Sequence, residues 1–271
     1  QTQTQQENSM DLGLQNKIAL VTGSNRGTGL MIAQRLAAEG ARVIFHSLAE
    51  GAAAAVASEM PGSLAVHGDI SCAAGSAEVL QAIQGLTSHV DILVNNYGVA
   101  DPGNWQNTTT EDWLNAYQKN TLSIVRLVQG LTPAMIKRGW GRVVNLGTVG
   151  STRPNRTSPQ YYAAKGALAN LTVSLTQELS ATGITVNLVS PGLIRTAEVE
   201  HAYLQRARKA GWGDTFEAAE AMIVKEYAPN PVGRIATREE VADVVLFLCS
   251  TRASFINGQN IRVDGGALGI I

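Results

Sequence analysis

Seven stretches dense in apolar and β-branched residues recur along the chain. They are KIALVTG (17–23), ARVIFHS (41–47), SLAVHGD (63–69), VDILVNN (90–96), GRVVNLG (141–147), GITVNLVS (183–190) and QNIRVDGG (259–266). Apolar positions that run on, instead of alternating with polar ones, suit strands covered on both faces, as in a parallel sheet. Between them lie stretches with helical periodicity. GLMIAQRLAAEG (29–40) ends at Gly40, a fitting C-terminal cap. EDWLNAYQKNTLSIVRLVQGLTPAMIKRG (111–139) reads as one longer helix, and a third helix is predicted over 159–181 with Leu168, Leu171, Leu175 and Leu179 as its buried stripe. Strict alternation of the two patterns, with no linker or repeat, predicts one α/β domain: a doubly wound, seven-stranded parallel sheet with helices on both faces.

The rhythm fails once. After VSPG (189–192) the next strand is delayed to about residue 261, and residues 193–232 carry helix-forming sequence instead. An insertion after the carboxyl end of a strand lies where α/β proteins bind ligands, so this segment is read as a helical substrate lid. The plainer alternative is a helical excursion packed outside. The opening QTQTQQENSM is polar and aperiodic, which predicts a flexible tail over residues 1–14 ahead of a catalytic domain over 15–271.

Composition narrows the function. Lys+Arg 21 nearly balances Asp+Glu 22 in 271 residues, so no basic field is available for nucleic acid or an anionic membrane. The two cysteines, Cys72 and Cys249, are isolated, and the four histidines have no metal-ligand spacing. No metal is expected. With no signal peptide or spanning apolar run, a cytoplasmic protein acting on a small molecule is the expectation.

Candidate chemistry begins in VTGSNRGTGL, which joins the first strand to the first helix. Gly23, Gly27 and Gly29 are spaced so that backbone N–H groups and a helix N-terminus can meet a pyrophosphate without an intervening Cβ. TGSNRGTG is followed by NNYG, YYAAK, SPGLIRT and the closing PVGRIATREEVADVVLFL…ASFINGQNIRVDGG. In that order, from Lys17 to Gly266, these motifs resemble the short-chain dehydrogenase/reductase family, in particular its 3-oxoacyl-reductase-like branch. The resemblance implies a Rossmann-type domain that transfers hydride between a nicotinamide and a ketone or secondary alcohol.

It also implies cofactor contacts from Gly23, Ser24, Asn25, Arg26, Gly27 and Gly29, from Asp69 and Ile70 beside the adenine, and from Asn96 and Gly98 along the dinucleotide. Pro191, Gly192, Ile194 and Thr196 fall near the nicotinamide amide and pyrophosphate. The end of the second strand, where an acid would select NAD(H), carries Ser47 between His46 and Leu48. With no carboxylate there to repel a 2′-phosphate and Arg26 nearby to hold one, NADP(H) is favoured over NAD(H). Glu50 would change that reading if the strand ran further. Tyr97 departs from the family, which has a small alanine there.

For proton transfer the resemblance points to Asn120, Thr148, Tyr161 and Lys165. Tyr161 and Lys165 are one helical turn apart, although spacing alone also allows Tyr162. An ammonium beside the phenol would lower its pKa from about 10, and Lys165 is implied as a ribose ligand too. Thr148 stands where relatives carry serine and keeps a hydroxyl to orient the substrate oxygen, with Ser151 as the alternative. Asn120 resembles a residue that holds a water linking the lysine to solvent.

The substrate is the least determined feature. Trp105, Trp212 and Tyr97 suggest an apolar pocket, while Arg153 and Arg156 offer charge to an anionic substrate or a subunit boundary. A homotetramer or dimer is expected from the family, with the apolar GGALGII end in a subunit contact. Two other functions stand beside the reductase: a nicotinamide-binding regulatory or scaffold module with weak catalysis, and an epimerase or dehydratase type of relative.

Overall fold

A computed structural model describes residues 10–270. Its seven strands are β1 (Ile18–Val21), β2 (Arg42–Ser47), β3 (Leu64–His67), β4 (Ile92–Asn95), β5 (Gly141–Leu146), β6 (Ile184–Pro191) and β7 (Asn260–Val263). They form one parallel sheet in the order β3-β2-β1-β4-β5-β6-β7. The expected α/β class, single domain and strand count are all present.

Strand β1 shows why the runs are continuously apolar. Ile18 and Leu20 enter one core, and Ala19 and Val21 enter the other, because successive side chains leave opposite faces of a strand. One layer is α1 (Gly27–Ala38), α2 (Ala52–Ala57) and α9 (Arg238–Cys249), packed through Leu36, Ala53 and Val245. The other is α3 (Ala73–Leu86), α5 (Ser123–Arg138) and α6 (Pro159–Glu178), packed through Val79, Leu127 and Leu168. Strand order reverses between β1 and β4, and the crevice beyond their carboxyl ends is the ligand position of such sheets.

Two details differ from the sequence expectation. The long helix of 111–139 is broken into α4 (Thr110–Tyr117), a π-helical turn (Gln118–Leu122) and α5. The N-terminal segment contributes to the body before residue 15: Leu14 is buried in the core, Thr251 N–H donates to Leu12 O at 2.9 Å, and Arg252 Nε donates to Asp11 O at 2.8 Å. Residues 1–9 of the expected tail lie outside the described residues. The segment read as a lid is α7 (Ala197–Ala210) and α8 (Phe216–Tyr227), which share a small core of Ala207, Phe216, Ala219, Ile223, Val224 and Ile235. Among the described residues no helix is long and apolar enough to cross a membrane.

Candidate active site

The glycine loop leaves β1 at its carboxyl end. Gly23 adopts φ +61°, a conformation that disfavours a side chain. A methyl group at Gly29 would stand 2.4 Å from Asn96 Nδ2 and 2.5 Å from the Gly23 carbonyl, so α1 can lie this close to the loop only with glycine there. Asn96 Nδ2 donates to Thr22 O at 2.9 Å and to Gly23 O at 3.2 Å, pinning the β1 and β4 ends together. The N-cap residue, Arg26, makes no side-chain cap, and the first turn of α1 carries no acid. A backbone cradle cleared of Cβ atoms at an uncapped helix N-terminus fits the pyrophosphate of a dinucleotide.

On the ribose side the expected residues are engaged with the chain itself. Ser47 Oγ donates to Ala49 O at 2.7 Å and accepts from Ala53 N at 2.9 Å. Asp69 is exposed and caps its own turn through Ser71 N at 2.9 Å. Ile70 is buried in the core, so its side chain offers no adenine contact. Arg26 is exposed and pairs with Glu198 at the start of α7 (3.3 Å). Asn25 lies in the loop ahead of α1, and Gly27 is the first residue of that helix. Thr196 Oγ1 caps α7 by accepting from Val199 N at 3.3 Å, and Ile194 forms a parallel bridge with Ala236 that anchors the lid's first strand-like residues.

Two members of the proton-transfer set, Asn120 and Lys165, meet at Gly98. A methyl group there would stand 2.7 Å from Asn120 Oδ1 and 2.9 Å from Lys165 Nζ. Asn120 lies in the π-helical turn, fully buried, and its side chain clamps Val99 from both directions: Oδ1 accepts from Val99 N and Nδ2 donates to Val99 O, each at 2.9 Å. Single π-helical turns of this kind recur at functional sites. Lys165 Nζ donates to Leu146 O at 2.7 Å. Burial lowers the Lys165 pKa to about 8. It pushes the Tyr161 phenol up to about 12, with Tyr162 as a lesser cause. Among the chain's own groups the Tyr161 phenol is therefore moved up by burial, opposite to the expected direction, while the Lys165 ammonium is directed to the Leu146 carbonyl.

Thr148 and Ser151 separate clearly. Thr148 lines a cavity of about 560 Å³ and accepts from Gly150 N at 3.1 Å through Oγ1. Ser151 is not in the cavity wall, and its hydroxyl is buried without a hydrogen-bond partner. The same wall takes Tyr162 from α6, Gly192 after β6, Tyr203 and Tyr227 from the lid helices, and Leu268 from the C-terminal loop. Tyr162 ring contact with Gly150 and its bond from Asn155 Nδ2 (2.9 Å) fix it in that wall.

The predicted apolar lining is corrected. Trp105 is 69% exposed and stacks on Trp113, Trp212 packs within the lid core, and Tyr97 packs against the α3–α5 core. None of the three lines the cavity; the aromatic wall is Tyr162, Tyr203 and Tyr227. Arg153 reaches the cavity and Arg156 does not. At the C-terminal end Asp264 accepts from Gly266 N (3.0 Å) and Leu268 N (3.1 Å), and Ala267 and Leu268 line this chain's own cavity.

Sequence reasoning missed two supporting sets. Asn95 Nδ2 donates to Asn145 Oδ1 at 2.9 Å, and Asn145 Nδ2 donates to Thr172 Oγ1 at 3.1 Å. This buried chain ties α6, two turns beyond Lys165, to β4 and β5. His46 is buried against the glycine loop. Polar residues inside apolar strands are the signal that could have found both.

Known proteins resemble this chain across almost its whole length. A family model described as enoyl-(acyl carrier protein) reductase matches residues 23–267. The 3-oxoacyl-[acyl-carrier-protein] reductase of Escherichia coli is 34% identical over 256 residues, covering 94% of this chain and 98% of that protein. Its counterpart in Aquifex aeolicus is 34% identical over 263 residues, covering 95% and 99%. Among solved structures, L-sorbose reductase from Gluconobacter frateurii, complexed with NADPH and L-sorbose, superposes with a TM-score of 0.88 at 29% identity, covering 97% of this chain and 100% of that one. A 3-oxoacyl (acyl-carrier-protein) reductase from Agrobacterium tumefaciens with NADP bound superposes with a TM-score of 0.84 at 31% identity, covering 96% and 98%.

Proposed function

The chain belongs to the short-chain dehydrogenase/reductase family, oxidoreductases of carbonyl and alcohol groups, and from that premise we propose that it reduces a ketone with NADP(H), Tyr161 giving the proton. The observation that carries this reading is the meeting of Asn120 and Lys165 around Gly98, one helical turn from Tyr161 and beside the glycine cradle. The absence of a carboxylate at Ser47, the position of Arg26 and the NADPH and NADP in structural relatives support the phosphorylated dinucleotide.

When bound, the reduced nicotinamide supplies hydride. The chain's own groups supply the rest. With a pKa of about 12, Tyr161 stays protonated at neutral pH, the form a carbonyl oxygen needs from an acid. Thr148 Oγ1 already accepts from Gly150 N, which leaves its own hydrogen free to donate to that oxygen. Lys165 carries charge below about pH 8 and draws the phenolate's negative charge when Tyr161 has given up its proton. Asn120 holds the Val99 backbone, keeping Gly98 open beside the lysine. The turn before α4, α4 itself and the π-helical turn leave Trp105, Leu114 and Leu122 exposed, which supports a dimer or tetramer of this chain.

The test is Tyr161→Phe. NADPH affinity should hold within about twofold while turnover on a responsive ketone falls roughly 10²–10⁴-fold. Thr148→Val should be crippled and Thr148→Ser active. Full turnover by Tyr161→Phe overturns the mechanism, and tight NADPH binding by the parent with no turnover on any carbonyl points to a binding module instead.

A further inference from the structure

We propose that His46 is a positioning residue for the dinucleotide site, a neutral imidazole that clips the glycine loop to the loop after β3. Gly23 N–H faces His46 Nδ1 at 3.1 Å, and Gly68 O faces Nε2 at 3.0 Å. An N–H only donates and a carbonyl only accepts, so the ring is an acceptor at Nδ1 and a donor at Nε2. The His46 backbone repeats the link: its N–H donates to Ser24 Oγ at 3.0 Å and its carbonyl accepts from Ser24 N at 2.9 Å. The side chain is 1% exposed, and burial keeps its pKa below the usual histidine value, with Asp69 raising and His67 lowering it to a smaller degree.

The two backbone groups belong to the two walls of the cofactor groove. Gly23 opens the pyrophosphate cradle, and Gly68 precedes Asp69 in the loop assigned to adenine. Both glycines have positive φ, +61° and +149°, and neither has a side chain to fix it from outside. His46 therefore sets the separation of these walls. Few side chains can do this. A carboxylate only accepts, an ammonium only donates, asparagine reaches as far as Nδ1, and glutamine reaches the depth of Nε2. The role rests on the dinucleotide reading above but is separate from the hydride and proton chemistry.

The experiment compares His46→Ala, His46→Asn and His46→Gln with the parent, by NADPH fluorescence titration and steady-state kinetics. His46→Ala should weaken NADPH binding about tenfold or more, the scale set when a buried N–H loses its acceptor. Its NADPH KM should rise equally, with kcat and carbonyl KM at saturating NADPH within about twofold of the parent. His46→Asn, which returns an acceptor to Gly23 N–H but leaves Gly68 O unclipped, should recover part of the affinity, and His46→Gln, which reaches Gly68 but leaves Gly23 N–H without its acceptor, should recover less. NADPH affinity of His46→Ala within twofold of the parent, a kcat loss at constant NADPH KM, or equal behaviour of the asparagine and glutamine variants overturns the role. If His46→Ala does not fold, the Asn–Gln pair decides alone. A parent that binds neither NADPH nor NADH overturns the functional reading itself, and this role with it.

Discussion

At the glycine loop, Asn96 holds Thr22 and Gly23, His46 joins Gly23 to Gly68, and Gly29 lets α1 approach within a distance no other residue permits. At the lid, α7 and α8 pack mainly on each other, with Phe216 buried between them. Their N-termini are joined by Arg195, which pairs with Glu200 and Glu217 at the surface. The first region is held by buried hydrogen bonds to the sheet and has one arrangement. The second is a satellite with its own core, its two helix starts joined by charged groups that water can replace. Dinucleotide binding calls for a preformed cradle, whereas an enclosed carbonyl site needs a wall that opens.

The sharpest way to break this contrast is Phe216→Ala. Emptying a buried phenylalanine site costs about 3–5 kcal/mol, and the cost should fall on the satellite. Amide exchange across 197–227 should quicken and carbonyl KM rise. Exchange in β1, β2 and α1 should stay near that of the parent, as should NADPH affinity. Uniform loss of protection through the sheet would show that the lid is no separate unit.

A second prediction probes the rigid side through its buried lysine. Lys165 has a pKa of about 8 in the folded chain against 10.5 for the free side chain. Between those values the unfolded chain binds more protons, so stability gains as pH rises from 8 to 10.5, and the burial cost is fully felt below 8. The interval corresponds to about 3 kcal/mol. Relative to the parent, Lys165→Met should be more stable in urea at pH 7 than at pH 10.5 by roughly that amount, the difference removing the titration of all other groups. A pH-independent difference would place the amine in solvent.

These regions also differed in how well the sequence disclosed them. The strands were readable because alternate residues of each, such as Leu20 and Val21, are buried on opposite faces. The break between α4 and α5 was not, because a π-helical turn adds a residue without glycine or proline and leaves the apolar pattern nearly intact. Tyr161, Lys165 and Thr148 were proposed from motif resemblance, which carries no information about burial, and burial decides which way the two pKa values move. His46 was passed over because its partners are backbone groups 23 and 22 residues away. Cavity lining was misread for a related reason: composition counts aromatic rings without their directions, so Trp105 was taken for a wall that Tyr162, Tyr203 and Tyr227 form.

The smallest effect expected lies where the two regions touch. Arg26 of the glycine loop and Glu198 of α7 are paired at 3.3 Å, with both side chains more than half exposed, so the pair is worth roughly 0.2–1 kcal/mol and weakens with salt. Its importance is in the competition it sets up. If Arg26 serves a 2′-phosphate, Glu198 holds the same guanidinium, and the bond must be given up for that contact. Glu198→Gln should therefore tighten NADPH binding by about 1.4- to 5-fold at low salt, leave NADH binding unchanged, and lose most of the gain at high ionic strength. Equal tightening of both dinucleotides would mean that the carboxylate repels the shared pyrophosphate. No change in either would leave Arg26 outside the 2′-phosphate contact and remove the main side-chain argument for NADP(H).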